Sequence, residues 1–393
     1  MADGRGAPVT GVGVQRETEQ SPLAMIKLLI VEDSALMRRH LVQLFEKDRD
    51  FRTSAVRNGA EALRALDEFD PDVITLDINM PEMDGLTCLS RIMVQRPKPV
   101  VMVSSLTEQG AEATFEALQL GAVDFVHKPD GTMSRDILRI ERELLLKVRS
   151  AATTTVRRSR GLTSRMVERR TSRPTRVEPA SPPLPRDRLG MVLVGVSTGG
   201  PGTLEEILPQ LPAGFPWPVV IAQHMPASFT GVFARRLATL CQIPVTEVTR
   251  QTALEGANVY IARGDADIVF TKTVLGMMAL PAPASANHLW HPSVTRMVES
   301  AMNVLPPDRL IGVLLTGMGD DGAKAIAMLR TRGGRTIAQD EATSVVFGMP
   351  GELVRLRGAD AVLPAHAIAN HLTSWLAPIT AMRATAEVRH GSC

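Results

Sequence analysis

Cysteine is scarce in this chain of 393 residues: Cys88, Cys241 and Cys393 are the whole set, and they are scattered with no metal-ligand spacing. That argues against a cysteine-based metal site and leaves a reduced, cytosolic chain as the expectation. His288, His291, His366 and His371 form no H-x-x-x-H or comparable pattern, so zinc chemistry has little support. Long apolar runs are missing as well. None approaches the roughly 18 residues that cross a bilayer, and no membrane insertion is expected. Residues 1–25 contain Asp3, Arg5, Glu17 and Glu19 but no apolar core, which excludes a signal peptide. They read as a disordered extension, with Met25 itself a candidate start. An excess of one charge is absent too: the net charge of +2 gives no global reason to expect nucleic acid or a membrane surface as partner.

What is present describes a globular protein, with 44% hydrophobic and 22% charged residues. The length exceeds one ordinary core and points to two domains. One segment breaks the pattern. Between Ser150 and Leu189 stand ten arginines, no lysine and three acids (Glu168, Glu178, Asp187), with five prolines from Pro174 to Pro185. Such a stretch can hardly bury a core and reads as a linker. Its charge would suit an acidic surface or nucleic acid, but Arg-Ser-Pro tracts between domains are ordinarily solvated spacers.

On both sides of the linker, strand and helix patterns alternate. Before it, "KLLIV" (27–31), "DVITLDI" (72–78), "PVVMVSS" (99–105) and "DFVHK" (124–128) read as buried strands, with helical patterns at 59–69 and 110–120. Ile137, Ile140, Leu144 and Val148 close the segment at helical spacing. After it come "MVLVGV" (191–196), "PVVIAQH" (218–224) and "LIGVLLTGMG" (310–319), each ending in polar or glycine residues, while 258–280 suggests a hairpin insertion. The expected class is α/β, with two doubly wound parallel-sheet domains whose function lies at the carboxyl ends of the strands. The expected division is an extension at 1–25, a first domain at 26–148, the linker at 149–189, a second, Rossmann-like domain at 190–378 and a tail at 379–393.

In the first domain Glu32 and Asp33 follow the first strand, Asp77 ends the third, Ser104 the fourth, and Lys128 the fifth. A parallel sheet brings these to one edge, so three carboxylates, a hydroxyl and an ammonium share a crevice. A hard divalent cation with oxygen ligands relieves the repulsion among the acids. A carboxylate can itself accept a phosphoryl group whose charge a metal and a lysine neutralise. Residues 26–148 resemble the receiver domain of two-component response regulators, through "VEDS", "LDINMPEMDG" and "HKP". The resemblance implies that Asp77 is phosphorylated and that Glu32, Asp33, Asp77 and the Asn79 carbonyl hold Mg²⁺. By the same resemblance Ser104 and Phe125 are the hydroxyl and aromatic switch positions, Lys128 contacts the phosphoryl group, and a sensor histidine kinase is the phosphodonor.

The second domain opens on "GVSTGGPGT" (195–203), which admits two readings. A phosphate-cradling loop is the weaker one: the P-loop Lys-Ser/Thr ending and G-x-G-x-x-G are both missing, and Pro201 removes a backbone N–H. The alternative is Ser197 as a nucleophile in G-x-S-x-G. That reading requires a base and an acid to orient it. His224 follows the next strand pattern and Asp321 a later one, so all three belong at one sheet edge. The order Ser, His, Asp differs from that of α/β-hydrolases, and G-x-S-x-G does not by itself prove that fold.

Residues 190–378 resemble the catalytic domain of the chemotaxis protein-glutamate methylesterase family, through "GVSTGGP", "AQHMPASFT", "LLTGMGDDGAKA" and "AQDEATSVVFGMP". The resemblance implies that Ser197 attacks a receptor glutamate methyl ester, His224 carries the proton, Asp321 orients His224, the Met318 N–H holds the oxyanion and Thr198 supplies a second hydroxyl. The implied partners are methylated chemoreceptor cytoplasmic domains, and the esterase chemistry needs no cofactor. Deamidation of receptor glutamines would use the same acyl-enzyme. The pattern departs from the family at Arg263, Asp267, His291 and Thr295, outside the expected triad. A non-catalytic, phospho-dependent binding module is the rival reading, and a DNA-binding response regulator ranks last.

Overall fold

Two parallel sheets organise the computed structural model, which describes residues 25–104, 107–128, 135–154, 189–274 and 276–390. The expected extension and most of the expected linker, residues 1–24 and 155–188, lie outside the described residues. The first sheet contains β1 (Ile26–Val31), β2 (Phe51–Val56), β3 (Val73–Asp77), β4 (Val100–Ser104) and β5 (Asp124–His127), in the order β2-β1-β3-β4-β5. β3, β4 and β5 are buried at every position, as strands covered on both faces must be. The five-strand expectation counts β2 with no apolar run to mark it, because it is an edge strand in which only Phe51 is fully buried. Alternation divides the core: Leu29 and Val31 face one cluster, Leu28 and Ile30 the other.

The helices start where side chains can cap them. Ser34, Asn58, Asp84 and Thr107 accept hydrogen bonds from the backbone N–H of Met37, Glu61, Thr87 and Gly110. Each such cap is worth about 1 kcal/mol. The last helix of this domain, Arg135–Ala152, runs four residues past the expected boundary. Ala151 is buried there, and Arg149 pairs with Asp48 and Asp50, so the Arg-rich segment begins as an anchored helix end.

The second sheet has seven strands: β6 (Met191–Val196), β7 (Val219–Gln223), β8 (Val245–Val248), β10 (Val259–Ala262), β13 (Leu310–Leu314), β14 (Arg335–Gln339) and β15 (Ala361–Leu363). Their order is β15-β14-β13-β6-β7-β10-β8, and every pairing is parallel. β9 (Thr252–Ala253), β11 (Ala266–Thr273) and β12 (Gly276–Pro283) form a separate antiparallel sheet. The hairpin suggested for 258–280 therefore spans 266–283. The segment preceding it, "VYIA", is wholly buried and joins the main sheet as β10 between β7 and β8. The final helix, Ala365–His390, continues through the boundary expected at 378.

The two sheets share a core. The helix Glu108–Leu120 packs on the helix Ala227–Leu240, with Phe115 stacked on Phe233 at 5.3 Å between ring centroids. Phe125 of β5 stacks on Phe229 at 4.6 Å.

Candidate active site and its acidic neighbour

In the first sheet the strand order reverses between β1 and β3, opening a crevice at their carboxyl ends. Glu32, Asp33 and Asp77 each place a carboxylate oxygen within 4.8 Å of the others. Lys128 reaches over them, with Nζ 2.7 Å from Asp77 Oδ2 and 3.1 Å from Glu32 Oε2. Burial pushes the Asp77 carboxyl above its ordinary pKa against the pull of Lys128, and Asp33 adds to the rise. Glu32 is raised by burial and then by the Asp77 charge. Burial disfavours the Lys128 ammonium, but Asp77 and Glu32 hold its pKa above the usual value. One ammonium against three carboxylates leaves an excess of negative charge lined by oxygen donors, which fits a hard divalent cation. The Asn79 N–H donates to Asp77 Oδ1 at 3.2 Å, and the exposed Asn79 lies at the crevice mouth. Ser104 is buried at the end of β4, and its hydroxyl donates to the Gly110 carbonyl.

The second crevice lies where β13, β6 and β7 end side by side. Ser197 follows β6, His224 follows β7, and Thr316 to Asp321 follow β13. Backbone bonds lace these ends together: the Ser197 N–H donates to Thr316 O at 3.0 Å and the His224 N–H to Val196 O at 3.1 Å. The Thr316 hydroxyl donates to Thr198 O, and Gln223 Nε2 donates to the carbonyls of Ser197 and His224. Two glycines have a steric reason here. Gly199 caps the next helix at φ +77°, and a Cβ on Gly317 would lie 2.7 Å from Ser197 Cβ.

His224 Nε2 lies 2.9 Å from Asp321 Oδ2, while His224 Nδ1 and Ser197 Oγ are both buried without a hydrogen-bond partner. Asp321 also accepts from the N–H groups of Val294 and Thr295, at 2.8 and 3.0 Å, where the helix Val294–Val304 begins. Burial opposes its ionisation, but the bonds from His224 and Thr295 hold it down at about 2. An ionised Asp321 can only accept, so in the neutral imidazole the hydrogen sits on Nε2 and the lone pair on Nδ1. Trp290 stacks on the His224 ring at 5.6 Å. The Met318 N–H makes no backbone hydrogen bond to any described residue.

The neighbouring domain covers this crevice. Thr198, beside Ser197 and buried, donates its hydroxyl to Asp124 Oδ2 at 2.5 Å. Lys147 holds Asp124 from the other side and donates to the Phe125 carbonyl at 2.8 Å. Arg142, Glu143 and His127 line a cleft shared with His224, Trp290 and His291. Asp124, Trp290 and Gln223 were not singled out in the sequence. Gln223 had a signal, since it directly precedes His224 at a strand end; Asp124 and Trp290 matter only through contacts that no local pattern encodes.

Comparison with known proteins agrees with both sheets. Residues 192–372 match the CheB methylesterase family model, and residues 28–136 match the response regulator receiver domain model. Over 357 residues the chain is 62% identical to protein-glutamate methylesterase/protein-glutamine glutaminase 3 of Rhodospirillum rubrum, covering 90% of this chain and 96% of that protein. It is 50% identical to protein-glutamate methylesterase/protein-glutamine glutaminase 2 of Rhodopseudomonas palustris, covering 89% and 98%. With number 3 of Vibrio cholerae the identity is 43%, covering 84% and 91%. The class is thus a response regulator whose receiver is joined to a methylesterase domain. Within that class the chain belongs to the protein-glutamate methylesterase/protein-glutamine glutaminase family. Among the described residues no helix is long and apolar enough to cross a membrane.

Proposed function

We propose that this chain hydrolyses γ-methyl esters of glutamate in the cytoplasmic domains of chemoreceptors, with residues 190–378 as catalytic domain and 26–148 as controlling receiver. The observation that carries the reading is the pairing of two unpartnered buried atoms, Ser197 Oγ and His224 Nδ1, on adjacent strand ends, with the other imidazole nitrogen on Asp321. His224 Nδ1 takes the Ser197 proton as Oγ bonds to the ester carbon, and the negative charge grows on the carbonyl oxygen. The Met318 N–H donates to that oxygen, and Thr198 offers a second hydroxyl once freed. Collapse breaks the carbon–methoxy bond, His224 returns the proton, and methanol leaves. A water activated by the same Nδ1 then cleaves the acyl-enzyme, giving glutamate and free Ser197. A glutamine side chain would follow the same course with ammonia as leaving group, which the name shared by the relatives supports.

Control runs through Asp77, phosphorylated by a sensor histidine kinase in the cytoplasm. Glu32, Asp33, Asp77 and the Asn79 carbonyl would hold Mg²⁺, which when bound supplies positive charge against the phosphoryl oxygens. Lys128 gives up its pairing with Asp77 and Glu32 to meet the phosphoryl group. Lys128 directly follows β5, whose Asp124 and Phe125 contact the catalytic domain. A shift there, with Ser104 and Phe125 as switch positions, releases Thr198 and opens the Ser197 crevice.

Methanol release from a methylated receptor fragment tests the reading, using wild type and Ser197→Ala with and without a small phosphodonor and Mg²⁺. Release that needs Ser197 and rises with the phosphodonor is expected. A wild-type protein that binds the fragment without turnover would favour the binding-module alternative instead.

A further inference from the structure

Asp267 and His291, two residues outside the triad, meet behind Asp321. Asp267 sits on β11, fully buried, and its carboxylate is filled with donors. Oδ1 takes the Ser293 N–H at 2.8 Å and pairs with His291 Nδ1 at 2.8 Å. Oδ2 takes Arg296 at 2.7 Å and the Ser285 N–H at 3.0 Å. Asp321 grips the next residues of the same turn, through the N–H groups of Val294 and Thr295 and the hydroxyl of Ser293 at 3.3 Å. Two carboxylates therefore bracket residues 293–295 at the start of one helix, where free N–H groups and the helix dipole favour anions. Thr295 adds a third tie, its hydroxyl accepting the Gly322 N–H beside Asp321 at 2.9 Å. Asp267 touches neither Ser197 nor His224. Its effect on them passes through the turn.

We propose that Asp267 is a positioning residue of the esterase: by fixing the Ser293 N–H and His291, it sets the turn that aims Asp321 at His224. This rests on the Ser197–His224–Asp321 reading above. His291, which lines the cleft beside His224, is the visible end of the same device, and Arg296 serves Asp267 from the side away from Ser293. Burial disfavours a charge on Asp267, yet its four donors hold the carboxyl well below the usual range, so it acts as a fixed anion.

The test uses the full chain activated with phosphodonor and Mg²⁺. It compares Asp267→Asn and Arg296→Met with wild type, and Ser197→Ala serves as the control for the triad itself. Asp267→Asn is expected to lower kcat for methanol release about 10- to 100-fold with KM within about twofold, the scale of a small misplacement of a catalytic group. It should also move the acid limb of the pH profile to lower pH, because a less well aimed Asp321 favours the His224 imidazolium less. Arg296→Met keeps the Ser293 and His291 bonds and should stay within about threefold of wild-type kcat. A folded Asp267→Asn with wild-type kcat and acid limb would overturn the proposal, as would an equal kcat loss in Arg296→Met. Should Asp267→Asn not fold, Asp267→Glu keeps the charge and displaces the turn; it must then show the same kcat loss and limb shift, and a wild-type profile overturns the proposal. Residual turnover in Ser197→Ala at wild-type rate would instead sink the triad reading, a result separable from either.

Discussion

The two crevices of this protein are built alike, but they shift their aspartates in opposite directions. Both open where parallel strands end beside a change of strand order, and both hold an aspartate, Asp77 buried in one and Asp321 half-buried in the other. Asp77 stands with Glu32 and Asp33 under a single lysine, and burial lifts its pKa. Asp321 stands alone against four donors at a helix start and is held down at about 2. Neighbours rather than residue type decide the role. On the proposed reading, an acid among acids receives a cation and a phosphoryl group, while an acid among N–H groups stays a fixed anion that orients a base.

The sharpest way to break the contrast is to remove the nucleophile that the His224–Asp321 pair serves. Ser197→Ala should cut ester hydrolysis by roughly 10⁴- to 10⁶-fold, read as methanol released. A loss below tenfold would mean that the second crevice is not a nucleophile site. Asp321→Asn should cost about 10⁴-fold, since an amide admits the wrong imidazole tautomer. It also probes stability. A depressed acid stabilises the fold above its unfolded pKa near 4, and this contribution is lost as pH falls toward about 2. The wild type should therefore lose on the order of 2 kcal/mol more than Asp321→Asn across that interval. Parallel acid-unfolding curves would contradict the assignment.

A smaller effect tests how the two crevices communicate. Cleavage within the linker, freeing residues 190–393, should raise unstimulated activity roughly tenfold, because Asp124 then no longer occupies Thr198 and Phe125 no longer stacks on Phe229. Unchanged activity after cleavage and separation of the fragments would end the gating model, whatever the triad does.

The first crevice was legible in the sequence because its members come from strand ends with local signatures: "VEDS" after β1, "LDINMP" at the end of β3 and "HK" at the end of β5. The second was legible in part. Ser197, His224 and Asp321 each follow an apolar run, and parallel pairing suffices to bring such positions to one edge. Three features resisted for physical reasons. β2 lacks an apolar run because it is an edge strand. "VYIA" was taken into the hairpin because a short buried run does not reveal whether its partners are parallel. The cover over Ser197 depends on which face of β5 meets a distant helix, and Asp124, adjacent to Phe125, carries no mark of pairing with Thr198.

The mildest change returns to the acidic crevice. Asp77 has a folded-state pKa above its unfolded value, so its ionisation costs stability at neutral pH, and that cost fades as pH falls toward the carboxylate range. Asp77→Asn removes the cost and also relieves Glu32, whose carboxyl the Asp77 charge raises. Without Mg²⁺ at pH 7, Asp77→Asn should melt roughly 2–5 °C higher than wild type, and the gap should narrow as pH is lowered toward 4. The same variant should keep basal ester hydrolysis and lose its response to phosphodonor. A lower melting temperature at pH 7 would mean that the contact with Lys128, 2.7 Å away, outweighs burial and repulsion. The two aspartates would then differ in degree and not in sign.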